Sequence, residues 1–275
     1  FMGNGLILGF FDGVHLAHQE VIFSAVKFSS CPILVTLKNF NKTKELILER
    51  SDSFTKIKSL GVKKIVELDF SLISSMQADD FLEFLKKEYN PISISTGFNY
   101  TFGKDRCGNS KTLEANQNKY GYKYFCIPPL KYNEDVISST FIKQKLIAGD
   151  IHLADELLGS NFTIQGVVKK GAQIGRMIGF PTANIDYPES IVKIPYGVYY
   201  VKIGEKRGIM NWGMKPTVHN TLSPVSETHI FDFDGDLYGQ ELRIEILNRI
   251  RGEIKFQNLE ELKKQIKKDI EACLK

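Results

Sequence analysis

Apolar residues follow two rhythms along this chain, and the change between them falls near residue 160. Up to that point, short apolar runs alternate with segments in which apolar positions recur every three to four residues. GLILGF is followed by HQEVIFSAVKF, CPILVTL by SFTKIKSLGV, KKIVELDF by ADDFLEFLKKEY, and ISISTGF closes the series. Such runs read as strands and the segments between them as amphipathic helices, so the order predicts a parallel sheet covered by helices. SSTFIKQKLIAGD and IHLADELLGS predict two short helices, the second stopped by Gly159. From Phe162 the period is two: FTIQGVVKK, YGVYYVKI, KRGIMNWG, ETHIFDF and LRIEILNRI are separated by Gly, Pro and Asp, and DGD at 234 to 236 reads as a hairpin turn. These segments predict a small antiparallel β-barrel. In the last segment Leu259, Leu262, Ile266 and Ile270 fall on one helical face with lysines opposite, a helix expected to pack on the barrel. The reading is an α/β chain of two domains, residues 1–160 and 161–275.

Composition narrows the function classes. The chain has 275 residues, 43% of them hydrophobic, enough for sizeable cores. Its net charge of +4 comes from 36 basic and 32 acidic residues spread along the sequence, so nucleic acid is not the expected partner. Four cysteines, at 31, 107, 126 and 273, show neither metal-ligand nor disulfide spacing. No apolar run approaches the ~20 residues of a membrane span, and no secretion signal precedes the first strand. A cytoplasmic protein with reduced thiols is expected, a monomer or a weak homo-oligomer.

GFFDGVHLAHQ, residues 9–19, holds two of the five histidines. A strand that turns sharply into a helix exposes backbone N–H groups that stabilise anions. His15 and His18, three apart, share a face of that first helical turn, and Gly9 and Asp12 lie in the turn itself. Phosphate is the natural ligand, and donors aimed at an α-phosphate under attack lower the barrier to nucleotidyl transfer. A metal pair or a purely structural pair are the other readings. Farther on, GAQIGRMIG has glycines but no GK[ST], which excludes a Walker A loop. In FPTANI, which follows Gly179, Thr182 and Asn184 point to one side of an extended segment, where a hydroxyl and an amide oxygen can share a magnesium ion. Turn residues after Pro181 are the alternative. Alternation in ETHIFDF sets Glu227, His229, Phe231 and Phe233 on one face, an unusual place for a solvent-facing carboxylate. Ser139 and Thr140 suit a helix N-cap, Asn99 an Asx turn beside Gly97, and Trp212 a place in the core.

Five stretches taken in order resemble one family. GFFDGVHLAHQ, GFNYTFGKDRCGN at 97–109 and ISSTFIKQKLIAGDIHLADELLG at 137–159 are similar to the adenylyltransferase signatures of the bacterial bifunctional riboflavin kinase/FMN adenylyltransferases. GRMIGFPTANI at 175–185 and ETHIFDFDGDLYG at 227–239 are similar to the kinase signatures. The resemblance implies a Rossmann-like nucleotidyltransferase module followed by a kinase barrel, with riboflavin, FMN and FAD as substrates and products, ATP as co-substrate and Mg2+ as the ion. It places His15 and His18 at the ATP phosphates, with Gly9, Asp12, Asn99, Ser139, Thr140 and Lys143 around them. In the barrel it makes Gly179, Thr182 and Asn184 nucleotide- and magnesium-binding residues, and Glu227 the acceptor of the ribityl hydroxyl proton. Three positions depart from the family: Ala17 stands for a glycine, Lys143 for an arginine, and TLKNFNK at 36–42 lacks two prolines. The alternative that follows from them is a riboflavin kinase with a weak or inactive adenylyltransferase module.

Overall fold

The computed structural model describes residues 2–39, 45–171, 173–216 and 222–274. The chain divides into two compact units, Phe1–Phe141 and Ile142–Lys275. In the first, strands β1 (Asn4–Leu8), β2 (Cys31–Lys38), β3 (Lys64–Asp69), β4 (Pro91–Gly97) and β5 (Lys123–Ile127) form one sheet in the order β3-β2-β1-β4-β5. Every neighbouring pair is parallel. The crossovers include helices α1 (Leu16–Phe28), α2 (Arg50–Ser59) and α3 (Ala78–Tyr89).

Period-two alternation inside the apolar runs sorts side chains to the two faces of the sheet. Leu6, Leu8, Ile33, Val35 and Ile94 pack with Phe81, Leu82 and Leu85 of α3. Ile7 and Leu34 pack on the other face with Val21, Ile22 and Ala25 of α1 and Ile57 of α2. Local signals set the helix ends: Gln77 and Asp80 form a capping box at the start of α3, and Asn90 ends it in the left-handed conformation at φ 41°. The sequence reading stopped at β4. It missed β5, an edge strand whose segment KYFCI has no fully buried position and therefore little apolar contrast.

The helices α4 (Ser139–Ala148) and α5 (Ile151–Leu158) follow as expected, α5 ending at Gly159 with φ 64°. The second unit holds β6 (Thr163–Val167), β7 (Ala183–Asp186), β8 (Gly197–Ile203), β9 (Lys206–Pro216), β10 (Leu222–Ile230), β11 (Glu241–Arg251) and α6 (Leu259–Cys273). The strands run antiparallel in the order β6-β11-β8-β9-β10-β7, a nearly closed barrel whose two end strands are linked by a bridge from Lys169 to Asn184. Trp212 is fully buried against Tyr187 and Tyr196, its Nε1 donating to the Ile194 carbonyl at 3.0 Å.

The connections after β10 differ from expectation in two places. DGD at 234–236 makes no hairpin, because β10 pairs with β9 and β7 while β11 pairs with β8 and β6, so the connection crosses between non-neighbouring strands. And β10 ends at Ile230; Phe231 still donates its N–H to the Arg207 carbonyl at 2.8 Å with its ring 5.9 Å from His229, whereas the left-handed Asp232 at φ 50° interrupts the alternation before Phe233. The terminal helix also departs from a simple apolar stripe. Leu259 is 49% exposed, and the residue α6 buries is Asp269, which receives the Arg251 guanidinium at 2.8–3.1 Å. Among the described residues no helix is long and apolar enough to cross a membrane.

Candidate active sites

The turn from β1 into α1 is where local sequence and geometry first combine. Gly9, Phe10 and Phe11 lead into a 3-10 turn at Asp12–Val14, and His15 caps α1 with its Nδ1 accepting the His18 backbone N–H at 3.3 Å. Phe11 (φ 59°), Gly13 (φ 78°) and Val14 (φ 48°) are all left-handed. For Phe11 and the β-branched Val14 that conformation costs about 1–3 kcal/mol each, offset by full burial of both side chains. Asp12 is buried and accepts the Ile47 N–H at 2.8 Å through Oδ1, while its own carbonyl accepts the Ser139 hydroxyl at 3.0 Å. The loop is therefore tied to α4 and to the segment before α2.

His15 and His18 stack at 3.6 Å with their rings 17° apart, and Phe11 tilts against His18 at 4.8 Å. Burial, with the charge of Lys56 of α2 behind it, pulls His15 down to about 4. His18 is lowered well below the ordinary imidazole value by burial, by His15 and by Lys56. Lys56 is itself pulled down to about 8 by burial. Both imidazoles are thus neutral near pH 7. His15 already uses Nδ1 as an acceptor, which puts its proton on Nε2. The buried Nδ1 of His18 has no hydrogen-bond partner.

These rings line a cavity of about 800 Å³ at the carboxyl ends of β1 and β4. In a sheet of this order the chain leaves β1 and β4 in opposite directions there, the switch point where ligands of open α/β sheets bind. Gly9, Ala17, Asn99, Ser139 and Thr140 join the lining, together with aromatic residues such as Phe98 and Tyr100. Asn99 makes no Asx turn; its side chain has no hydrogen-bond partner among the described residues. The N-cap of α4 is Ser138, whose Oγ accepts the Phe141 N–H at 3.2 Å, so Ser139 and Thr140 stand in the first turn rather than at the cap. Asp12 and Lys143 lie outside the lining. Of TLKNFNK, residues 40–42 lie outside the described residues.

The barrel carries the second site. Asn184 of β7, Glu227 of β10 and Asn211 of β9 are register partners across three adjacent strands, so their side chains form one row on one face. Asn184 is buried and Glu227 half-buried. Asn184 Nδ2 donates to the Thr182 carbonyl at 3.4 Å, and a methyl on Gly171 would come within 2.8 Å of that nitrogen, so the preceding loop closes over the amide. His229 Nδ1 meets the Pro181 carbonyl at 2.8 Å, fixing FPTAN to β10. Thr182 lines a cavity of about 250 Å³ with Arg176, Thr228, Phe233 and Tyr238. Glu227, Asn184 and Gly179 are not part of that lining; Gly179 takes φ 88°, a turn position suited to glycine.

Comparison with known proteins bears on both halves. Residues 3–141 match the family model for FAD synthetase and residues 158–275 that for riboflavin kinase. The bifunctional riboflavin kinase/FMN adenylyltransferase of Bacillus subtilis is 34% identical over 98% of this chain and 91% of its own length. The protein of the same description from Haemophilus influenzae is 33% identical over 98% and 93%. The chain belongs to this family. A solved structure described as a macrolide-efflux protein from Streptococcus pneumoniae is 30% identical, matches with a TM-score of 0.88 and covers 99% of this chain and 94% of that one. Within the bifunctional riboflavin kinase/FMN adenylyltransferase family both modules are present here, and nothing favours a chain that retains the kinase alone. Sequence reasoning missed Arg50, Lys56 and Ser138 around the first cavity. The SST triplet carried a signal for Ser138, but no motif marks Arg50 or Lys56 of α2.

Proposed function

We propose that this enzyme phosphorylates riboflavin with Mg-ATP to give FMN and ADP in the barrel, and then transfers AMP from a second ATP to FMN, giving FAD and pyrophosphate, in the parallel-sheet module. The observation that carries the second reaction is the stacked, neutral imidazole pair on a cavity of about 800 Å³, with one buried ring nitrogen lacking a partner. An FMN phosphate oxygen attacks the α-phosphorus of ATP and pyrophosphate departs. His15 and His18 donate to the α-phosphate oxygens as charge builds there, without a covalent intermediate. Gly9 lets the backbone approach the phosphates, Asn99, Ser139 and Thr140 hydrogen-bond substrate, Lys143 adds a cation, and Asp12 holds the loop.

In the barrel, Glu227 accepts the proton of the ribityl 5'-hydroxyl while that oxygen attacks the γ-phosphorus and ADP leaves; its larger task is to orient the nucleophile. Thr182 and Asn184 supply oxygen ligands to Mg2+, with Gly179 shaping the nucleotide loop. The donor set fits the ion: both are hard neutral oxygens, and because the Asn184 amide nitrogen is engaged with the Thr182 carbonyl, Oδ1 is left for a cation. Bound with ATP, the ion neutralises phosphate charge. A cytoplasmic monomer or weak homo-oligomer acting on small molecules alone completes the reading.

The decisive experiment incubates the full chain with FMN and Mg-ATP in the absence of riboflavin and separates the flavins. FAD and pyrophosphate are expected in equal amounts; no FAD over hours retires the adenylylation reading. In parallel, Glu227→Gln should lower FMN formation from riboflavin by roughly 100-fold or more while FAD formation from supplied FMN persists.

A further inference from the structure

The left-handed turn that carries His15 and His18 is held from one side by a residue that belongs to none of the recognised motifs. Arg50, the first residue of α2, donates from Nη1 to the Phe10 carbonyl at 3.2 Å and from Nη2 to the Leu37 carbonyl at 3.2 Å. The same Nη2 meets the Glu67 carboxylate at 2.8 Å. The guanidinium also lies over the Phe10 ring at 4.9 Å and the Phe54 ring at 4.7 Å. One planar group therefore joins the carboxyl-terminal ends of β1, β2 and β3. Pairing between β1 and β2 stops at Leu8 and Val35, so the carbonyls of Phe10 and Leu37 lie beyond the ladder and Arg50 supplies both with a donor.

Phe10 and Leu37 both line the larger cavity, whereas Arg50 stands outside its lining. We infer that Arg50 is a positioning residue for adenylyl transfer: it fixes the two strand ends relative to each other, sets the width of the cleft floor, and thereby places the imidazole pair against the α-phosphate. This rests on reading the cavity as the adenylylation site. The shape of the contact requires arginine. An ammonium group is a point donor that cannot serve two carbonyls and a carboxylate from one plane while its faces stack on two rings. Glu67, whose side chain is 35% exposed, balances the charge without drawing the fork away from the carbonyls.

The test compares the parent chain with Arg50→Met and Arg50→Lys in single-turnover conversion of FMN to FAD, enzyme in excess and ATP saturating. Phosphorylation of riboflavin by the same preparations is the internal reference. Arg50→Met is expected to lower the single-turnover rate constant by about 10- to 100-fold with the amplitude preserved, since small displacements at a reacting centre cost that much. Arg50→Lys should recover only a minor part of the loss, and phosphorylation should stay within about twofold of the parent. A role confined to stability would instead lower the amplitude and leave the rate constant of the surviving enzyme unchanged. That result, or a parental rate constant in Arg50→Met, overturns the inference. Should Arg50→Met fail to fold, Arg50→Lys decides: a parental rate constant overturns the inference, and a fall of about threefold or more at full amplitude supports it. A parent that forms no FAD at all overturns the reading of the cavity, and this assignment with it.

Discussion

Two imidazoles in face-to-face contact cannot both carry charge without strong repulsion, and here burial and Lys56 work in the same direction. The consequence for folding has a definite sign. His15 is pulled to about 4 in the folded chain against an ordinary value of 6.5, so below that value the unfolded chain binds the proton more readily. The His15 contribution to stability is therefore complete above about pH 7 and is lost as pH drops from 6.5 toward 4, the loss amounting to about 2 kcal/mol at pH 5. Urea titrations of the parent and of His15→Asn at pH 5 and 7.5 check this: on acidification the stability of the parent should fall relative to that of the variant by about 2 kcal/mol. On the proposed reading, the same shift presents both rings as neutral donors to an arriving triphosphate near pH 7.

At the scale of elements, two carboxylates govern how helices join the barrel. Asp155 of α5 accepts the Phe162 N–H at 2.6 Å where β6 begins, and burial, with Glu245 adding to it, raises its carboxyl to about 7. A raised carboxyl favours the fold while protonated, and that contribution is lost as pH climbs from about 4 through 7. Asp155→Asn keeps an acceptor for Phe162 and removes the charge, so its melting temperature should exceed the parent's by most at pH 8, by less at pH 5, and converge on it below about pH 4. Asp269 acts oppositely, as the buried partner of Arg251. Asp269→Ala leaves that guanidinium uncompensated and should cost about 3 kcal/mol, read as a lower thermal midpoint and early proteolysis of the C-terminal helix.

The sequence made elements legible where apolar contrast was strong, as in β1, α3 and the barrel strands, and motifs legible where the chemistry sat within a few residues. It failed at the exposed edge strand β5, and at DGD, where turn residues serve a crossing loop as readily as a hairpin. Arg50 was beyond reach for a different reason. Its three partners lie 40, 13 and 17 residues away along the chain, and no local pattern encodes a contact that only the assembled sheet creates.

At the scale of the whole molecule, the chain combines two compact units, one built on a parallel sheet and lining the cavity of about 800 Å³, the other built on an antiparallel barrel and lining that of about 250 Å³. Parallel and antiparallel folds suit their tasks differently. The sheet offers loops converging at the switch point for a large substrate pair, while the barrel offers a rigid row of cross-strand side chains beside a smaller pocket. Each unit is compact by itself, so the two reactions should respond separately to denaturant.

The solitary indole turns that separation into something a spectrometer can follow. Trp212 sits in the barrel, sealed from water, and the first 141 residues hold no other. Its emission should be blue-shifted and should redden at the denaturant concentration that ends riboflavin phosphorylation, irrespective of where FAD formation ceases. The molecule thus carries a built-in gauge for one half of itself, and blindness of that gauge to the other half is what lets the two be timed apart.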